Sequence, residues 1–275
     1  REHEPFSNFK LDKYYAIDKF GSFTDAAQFE RFCEFIKIKC DPVKAHPLFN
    51  FHRLEALYST KEYTFDPILI AEFYKAQLKE NPNIELLMSS RILSAEALND
   101  SWKLEVQNIK NQELKRVETA AVINATYSGS NAINQLFGAR EINLMHEISE
   151  MSFVTSPQLK NMGLTVMDGQ FGSIMPYGKS DLLSLSSVAY THHKVSYNNL
   201  PTFDCQAKNP VCEPNFTSIC NFCSEKPRSN YRKMMAQINH YFSDVVQLHY
   251  FTSMFTIKSK LKANYIDDGR PTEIS

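Results

Sequence analysis

The chain has 275 residues, 43% of them hydrophobic, and a formal net charge of −1. That is enough apolar material for one large domain or two smaller ones and excludes a disordered chain. A near-neutral balance offers no electrostatic footprint for nucleic acid or an anionic bilayer, and no apolar run approaches the about 20 residues of a membrane span. The expectation is a cytoplasmic protein acting on a small molecule. Arg1 is not a start residue and Ile274-Ser275 is no turn or helix end, so the chain is expected to begin and end inside a longer protein.

Tyr14-Tyr15-Ala16-Ile17 is expected as a short strand. Thr24 then opens a helix with Phe29, Phe32, Cys33 and Ile36 at helical spacing, and Asp41-Pro42 ends it. The clearest helix begins at Phe65-Asp66-Pro67. Asp66 can cap it, and Pro67 stands at the first helical position, where its missing N–H costs nothing. Ile68, Leu69, Phe73, Ala76 and Leu78 form its expected buried side, and Asn81-Pro82-Asn83 stops it.

Short strands are expected at residues 84–88, 91–95, 101–106 and 114–117, the later ones as an antiparallel meander. Residues 120–123 are too few and too β-branched for a helix. They read as a buried strand ending in the small-residue turn Asn124-Ala125-Thr126-Tyr127-Ser128-Gly129. Such a turn lets backbone N–H groups approach a cofactor; an ordinary strand and loop is the plainer account. Strand-like segments follow at 145–154, 165–169, 174–179, 182–190 and 250–258, suggesting a second sheet. A helix from Asn230 to about residue 243 is expected, capped by Ser229.

The stretch 203–229 is loop-rich and carries Cys205, Cys212, Cys220 and Cys223, spaced C-x6-C-x7-C-x2-C. Four thiolates can hold a structural zinc ion tetrahedrally; free thiols or disulfides satisfy the same pattern. There is no G-x-S-x-G and no Walker loop.

The order of Phe65-Asp66-Pro67, Arg91-Ile92, the meander, Val122-Ile123-Asn124-Ala125-Thr126, residues 171–178 and Asp268-Gly269-Arg270-Pro271-Thr272 resembles the FAD-dependent oxidoreductases of the D-amino-acid oxidase type. The resemblance implies an α/β (α+β) fold: an incomplete Rossmann-like FAD-binding domain with a β-meander, plus a substrate domain on a mixed or antiparallel sheet. On that pattern residues 1–60 are substrate-domain and helical segments, 61–145 part of the FAD domain, 146–260 the substrate domain, and 261–275 a return to the FAD domain. It implies FAD contacts from Arg91 and Ile92 at the adenine end and from Asn124, Ala125, Thr126, Tyr127 and Gly129 beside the dinucleotide. Residues 171–179 correspond to the sheet over the flavin. Arg270 corresponds to an arginine that pairs with a substrate carboxylate, for which a planar guanidinium is suited; a surface or flavin contact is the alternative. Tyr177 lines the substrate pocket or is a core tyrosine.

The departure from the family is that its G-x-G-x-x-G fingerprint appears nowhere among the eight glycines. Two functions follow: an FAD-dependent oxidoreductase taking a hydride from an amine, amino acid or hydroxy substrate, as part of a longer chain, or a non-catalytic module of the same fold that has lost FAD.

Overall fold

A computed structural model describes residues 4–8 and 11–262. In chain order its strands are β1 (Ser7–Asn8), β2 (Asp12–Asp18), β3 (Cys40–Pro42), β4 (Leu54–Thr60), β5 (Thr64–Phe65), β6 (Ser90–Ala97), β7 (Trp102–Asn108), β8 (Leu114–Thr119), β9 (Leu144–Thr155), β10 (Met162–Met167), β11 (Gly172–Pro176), β12 (Leu183–Ser187), β13 (His192–Ser196) and β14 (His249–Leu261). The α-helices are α1 (Ala26–Phe35), α2 (Pro67–Glu80), α3 (Ser130–Leu136) and α4 (Tyr231–Asn239). The fold is mixed α/β. Contacts divide it into two units that interleave along the chain: one of residues up to Ala76, Glu150–His192 and Pro227–Met254, the other of Gln77–Ser149, His193–Lys226 and the chain from Phe255 onward.

The first unit is a mixed sheet in the order β9-β12-β11-β10-β2-β4-β3, with β9 contributing its residues from Glu150. The β10–β2 pairing is parallel, with Leu164 opposite Tyr14; its other pairs are antiparallel. One face is strongly apolar because successive side chains of a strand point to opposite faces and every second one here is apolar. Leu164, Ile174 and Leu185 are buried there, and Met234 and Ile238 of α4 join the same cluster. Each such side chain contributes about 1.5–3 kcal/mol by leaving water. The start of α4 is fixed by polar bonds: Asn230 N donates to Glu150 Oε2 at 2.8 Å and Tyr231 N to Ser229 Oγ at 3.1 Å. The opposite face is mixed. It carries Lys13, whose ammonium donates to Thr165 Oγ1 at 2.5 Å and meets Met175 Sδ at 3.0 Å.

α1 starts one residue later than the pattern suggests, because Asp25 rather than Thr24 caps it. Asp25 Oδ1 accepts from Gln28 N at 2.7 Å, and Gln28 Oε1 accepts from Asp25 N at 2.9 Å, a reciprocal capping box. Phe29 and Cys33 are buried, whereas Phe32 faces outward. α2 begins where the Asp66-Pro67 signal puts it, with Ile68 N and Leu69 N donating to Asp66 Oδ1 at 3.0 and 3.1 Å. Its expected buried stripe is corrected: no residue of α2 is buried, and Ile68, Phe73 and Leu78 are exposed. Periodicity shows which face could be covered, not whether anything covers it.

The second unit holds the antiparallel meander β6-β7-β8, with β13 from His193, β9 up to Ser149 and β14 from Phe255. Two expected strands are absent from it. Residues 84–88 start in a turn, with Ile84 N donating to Asn81 O at 3.1 Å, and run on without ladder structure. Residues 120–123 are likewise not a strand. β8 ends at Thr119, whose hydroxyl donates to Ala121 O at 2.9 Å and draws the chain off the ladder, and Ile123 is 91% exposed. No helix among the described residues is long and apolar enough to cross a membrane.

Candidate functional site

The turn after that exposed stretch is where the chain builds a site. Thr126 precedes a 3-10 turn, Tyr127–Gly129, which leads directly into α3. Asn124 locks it. Its Nδ2 donates to Ser130 O at 2.9 Å and Asn134 Oδ1 at 2.8 Å, while its Oδ1 accepts from Thr126 Oγ1 at 2.6 Å. Tyr127 adopts a φ of 54°, a left-handed conformation that a bulky residue takes only when its surroundings hold it there. Two bonds do so here: Ser130 Oγ donates to Tyr127 O at 2.8 Å, and Ser259 N of β14 donates to Tyr127 Oη at 3.1 Å.

A cleft of about 730 Å³ opens beside this turn, lined by Asn124, Tyr127, Asn134, Arg140, Glu141 and Lys260 among others. A second amide lock steadies its frame. Asn131, 1% exposed, donates from Nδ2 to Ile142 O at 2.8 Å and Asn199 O at 2.9 Å, and accepts from Ile142 N at 2.8 Å. Glu141 accepts from Gln135 Nε2 at 2.8 Å and Asn199 Nδ2 at 2.7 Å, and these two bonds hold its carboxyl below the usual range. Lys260 Nζ lies 2.9 Å from Glu147 Oε1. His146 is fully buried nearby, its Nδ1 2.7 Å from Ser259 Oγ and its Nε2 3.1 Å from Asn199 O; burial pushes its pKa down, so it is held neutral. The cleft is thus bounded by Arg140, Glu141 and Lys260 on a frame fixed by amide bonds, and most of its lining surface is apolar.

The expected site residues fall in three places. Asn124 and Tyr127 line the cleft, and Ala125, Thr126 and Gly129 belong to the same turn. Arg91 and Ile92 lie on β6; the Arg91 guanidinium sits 4.8 Å from the Phe216 ring centroid and its Nε donates to Gln107 Oε1 at 3.1 Å. Tyr177 belongs to the other unit, where its ring meets Phe153 edge-on at 4.7 Å. Arg270 lies outside the described residues. Sequence reasoning missed Asn131, Asn134, Arg140, Glu141 and Lys260. The clustering of Asn124, Asn131 and Asn134 is the available signal, since buried amides at a turn are commonly structural locks.

The structure does not support the zinc expectation. Among the described residues no group of three or more His, Cys, Asp or Glu side chains is arranged to hold a metal ion, and the six cysteines are free. Cys205 and Cys220 pack against the apolar cluster of Ile148, Phe203, Phe255 and Ile257. Burial, reinforced by the neighbouring thiols Cys212, Cys205 and Cys223, pushes the Cys220 thiol up to about 11. Ser218 N donates to Cys212 Sγ at 3.3 Å and Asn209 Nδ2 to Cys223 Sγ at 3.2 Å.

FAD is the cofactor the sequence resemblance implies, and the cleft tests it. Asn124 spends both ends of its side chain inside the turn, so a cofactor there meets backbone and the other cleft walls. Gly129 is no phosphate cradle: a Cβ on it would meet Thr126 at an ordinary 3.4 Å. A G-x-G-x-x-G grip for its pyrophosphate is not among this chain's residues.

No protein-family model matches the sequence, and no curated protein matches it significantly. Solved structures do match the fold. Glycine oxidase from Geobacillus kaustophilus aligns over 95% of this chain and 63% of its own, at 12% identity and a TM-score of 0.62. L-proline dehydrogenase from P. horikoshii aligns over 98% of this chain and 66% of its own, at 12% identity and a TM-score of 0.65. A glycerol-3-phosphate dehydrogenase from Bacillus halodurans, complexed with FAD, aligns over 92% of this chain and 44% of its own, at 10% identity and a TM-score of 0.52. The fold is shared with glycine oxidase and L-proline dehydrogenase, and the chain spans just under two thirds of the length of each.

Proposed function

We propose that this chain supplies the substrate domain and the flavin-flanking turn of an FAD-dependent oxidoreductase that takes a hydride from a C–H beside an amine or hydroxyl of a small molecule. The observation that supports it is the placement of the locked 124–129 turn beside a cleft that Asn124 and Tyr127 line, in a fold shared with glycine oxidase and L-proline dehydrogenase. The chemistry that FAD supplies when bound is acceptance of the hydride and onward transfer of the electrons to oxygen or another acceptor. The chain's own part is position and charge. The turn and the β6 backbone at Arg91 and Ile92 would meet the cofactor, and Arg270 would hold a substrate carboxylate by two parallel bonds. The pyrophosphate grip would come from residues outside this sequence.

The test is the visible spectrum of the protein purified from its complete reading frame, before and after incubation with FAD and desalting. Retained flavin bands support the reading; a colourless protein that takes up no FAD refutes it. The second reading, a module of the same fold that has lost FAD, draws on the exposed, unladdered residues 120–123 and is the one such a colourless protein would favour.

A further inference from the structure

A second cleft, of about 330 Å³, lies in the first unit and shares no residue with the site above. Arg53, Lys233 and His240 line it together with Phe171, Tyr190 and Tyr241. Three basic side chains converge there with no carboxylate among the lining residues. The acid engaged with Arg53 is Asp18, whose side chain is wholly buried. Its Oδ2 accepts from Arg53 Nε at 2.6 Å and from Tyr241 Oη at 3.0 Å, and its Oδ1 from Phe20 N at 2.8 Å. Asp18 therefore fixes the guanidinium through Nε and offsets its charge, and Tyr241 is hydrogen-bonded within the same group. Lys233 Nζ lies 5.7 Å from the Tyr190 ring centroid, a contact that orients the ammonium without neutralising it. α4 and its C-cap contribute Lys233, Gln237 and His240, at the i, i+4 and i+7 spacing of one helix face. Gln237 is pinned between strand and loop: its Oε1 accepts from Ser187 Oγ at 2.6 Å and its Nε2 donates to Gln170 O at 2.7 Å. The basic face is thus held in place before any ligand arrives.

We propose that this cleft binds a phosphate-type oxyanion, free or carried as a phosphomonoester, through Arg53, Lys233 and His240. Asp18 offsets the Arg53 charge, so Lys233 is the cation of this groove that no lining carboxylate offsets, and a bound anion is attracted to it. The aromatic walls would favour an ester with an apolar group over free phosphate.

The experiment is calorimetric titration of the folded protein with inorganic phosphate and, separately, phenyl phosphate at low ionic strength. The variant is Lys233→Gln/His240→Gln, which leaves the Arg53–Asp18 pair intact. Saturable binding that weakens about tenfold or more in the variant is expected, since one charge-assisted bond is worth at least about that factor. Tighter binding of phenyl phosphate identifies an organic phosphate as the ligand, and equal binding identifies the free ion. Absence of binding to either, or binding unchanged in a variant whose thermal unfolding matches the parent, overturns the proposal.

Discussion

Replacing Lys13 by methionine gives the sharpest test of the mixed face of the first unit's sheet. The Lys13 side chain is 2% exposed, and its counter-charge, Glu62 Oε2, is 3.8 Å away and partly solvated. Burial dominates and Glu62 opposes it incompletely, so the amine falls from 10.5 to about 8. At about 1.36 kcal/mol for each tenfold change in proton affinity, the charged form costs the folded state about 3 kcal/mol. The sign follows from the lowered value. Between about 8 and 10.5 the unfolded chain binds the proton and the folded one releases it, so this contribution to stability rises with pH through that window and is flat below it. Methionine has nearly the same shape and no charge to bury, and it places a thioether beside Met175. Unfolding by urea, measured for both proteins from pH 7 to pH 9, is expected to show the parent gaining about 1 kcal/mol relative to Lys13→Met. The comparison between proteins matters because Cys40, raised to about 12, and Cys220, raised to about 11, make both lose stability as the pH rises through the ordinary thiol range. A stability difference independent of pH refutes the reasoning.

Asn131→Ala removes three bonds from a fully buried position and leaves Ile142 and Asn199 backbone groups unpaired; a loss of about 2–3 kcal/mol is expected in denaturant unfolding. His146 is held neutral by burial, so its contribution to stability is complete above its unfolded value of about 6.5 and is lost as the pH falls below that. His146→Gln should flatten that acid-side loss in a pH series of melting curves. Ile123→Ser should change stability by less than about 0.5 kcal/mol, whereas Ile148→Ala, in the cluster with Phe203 and Phe255, should cost about 2–5 kcal/mol; equal losses would mean that Ile123 is packed.

Local chemistry makes several features legible. Asp66-Pro67 announces a helix start because a carboxylate caps free N–H groups and proline tolerates the first position, and α2 begins there. The 124–129 turn is legible for a similar reason: short polar side chains bond their own backbone. Alternation finds β7, β11 and β12, since a strand with one buried face must alternate. Residues 120–123, residues 84–88 and the α2 stripe fail for one common reason. An apolar run states that a surface could be buried, but burial needs a neighbour, and the neighbour is supplied by remote parts of the chain.

Where helices start, which residues alternate, and the lack of a dinucleotide fingerprint among the glycines are all written in the chain itself, because each is settled within a few residues of backbone. Other features depend on the folded arrangement: the burial of Lys13 beside Thr165 and Met175, and the meeting of Arg53, Lys233 and His240 in one cleft. Those are distances between residues far apart in the chain, set by sheet order and helix packing, and no local pattern encodes them.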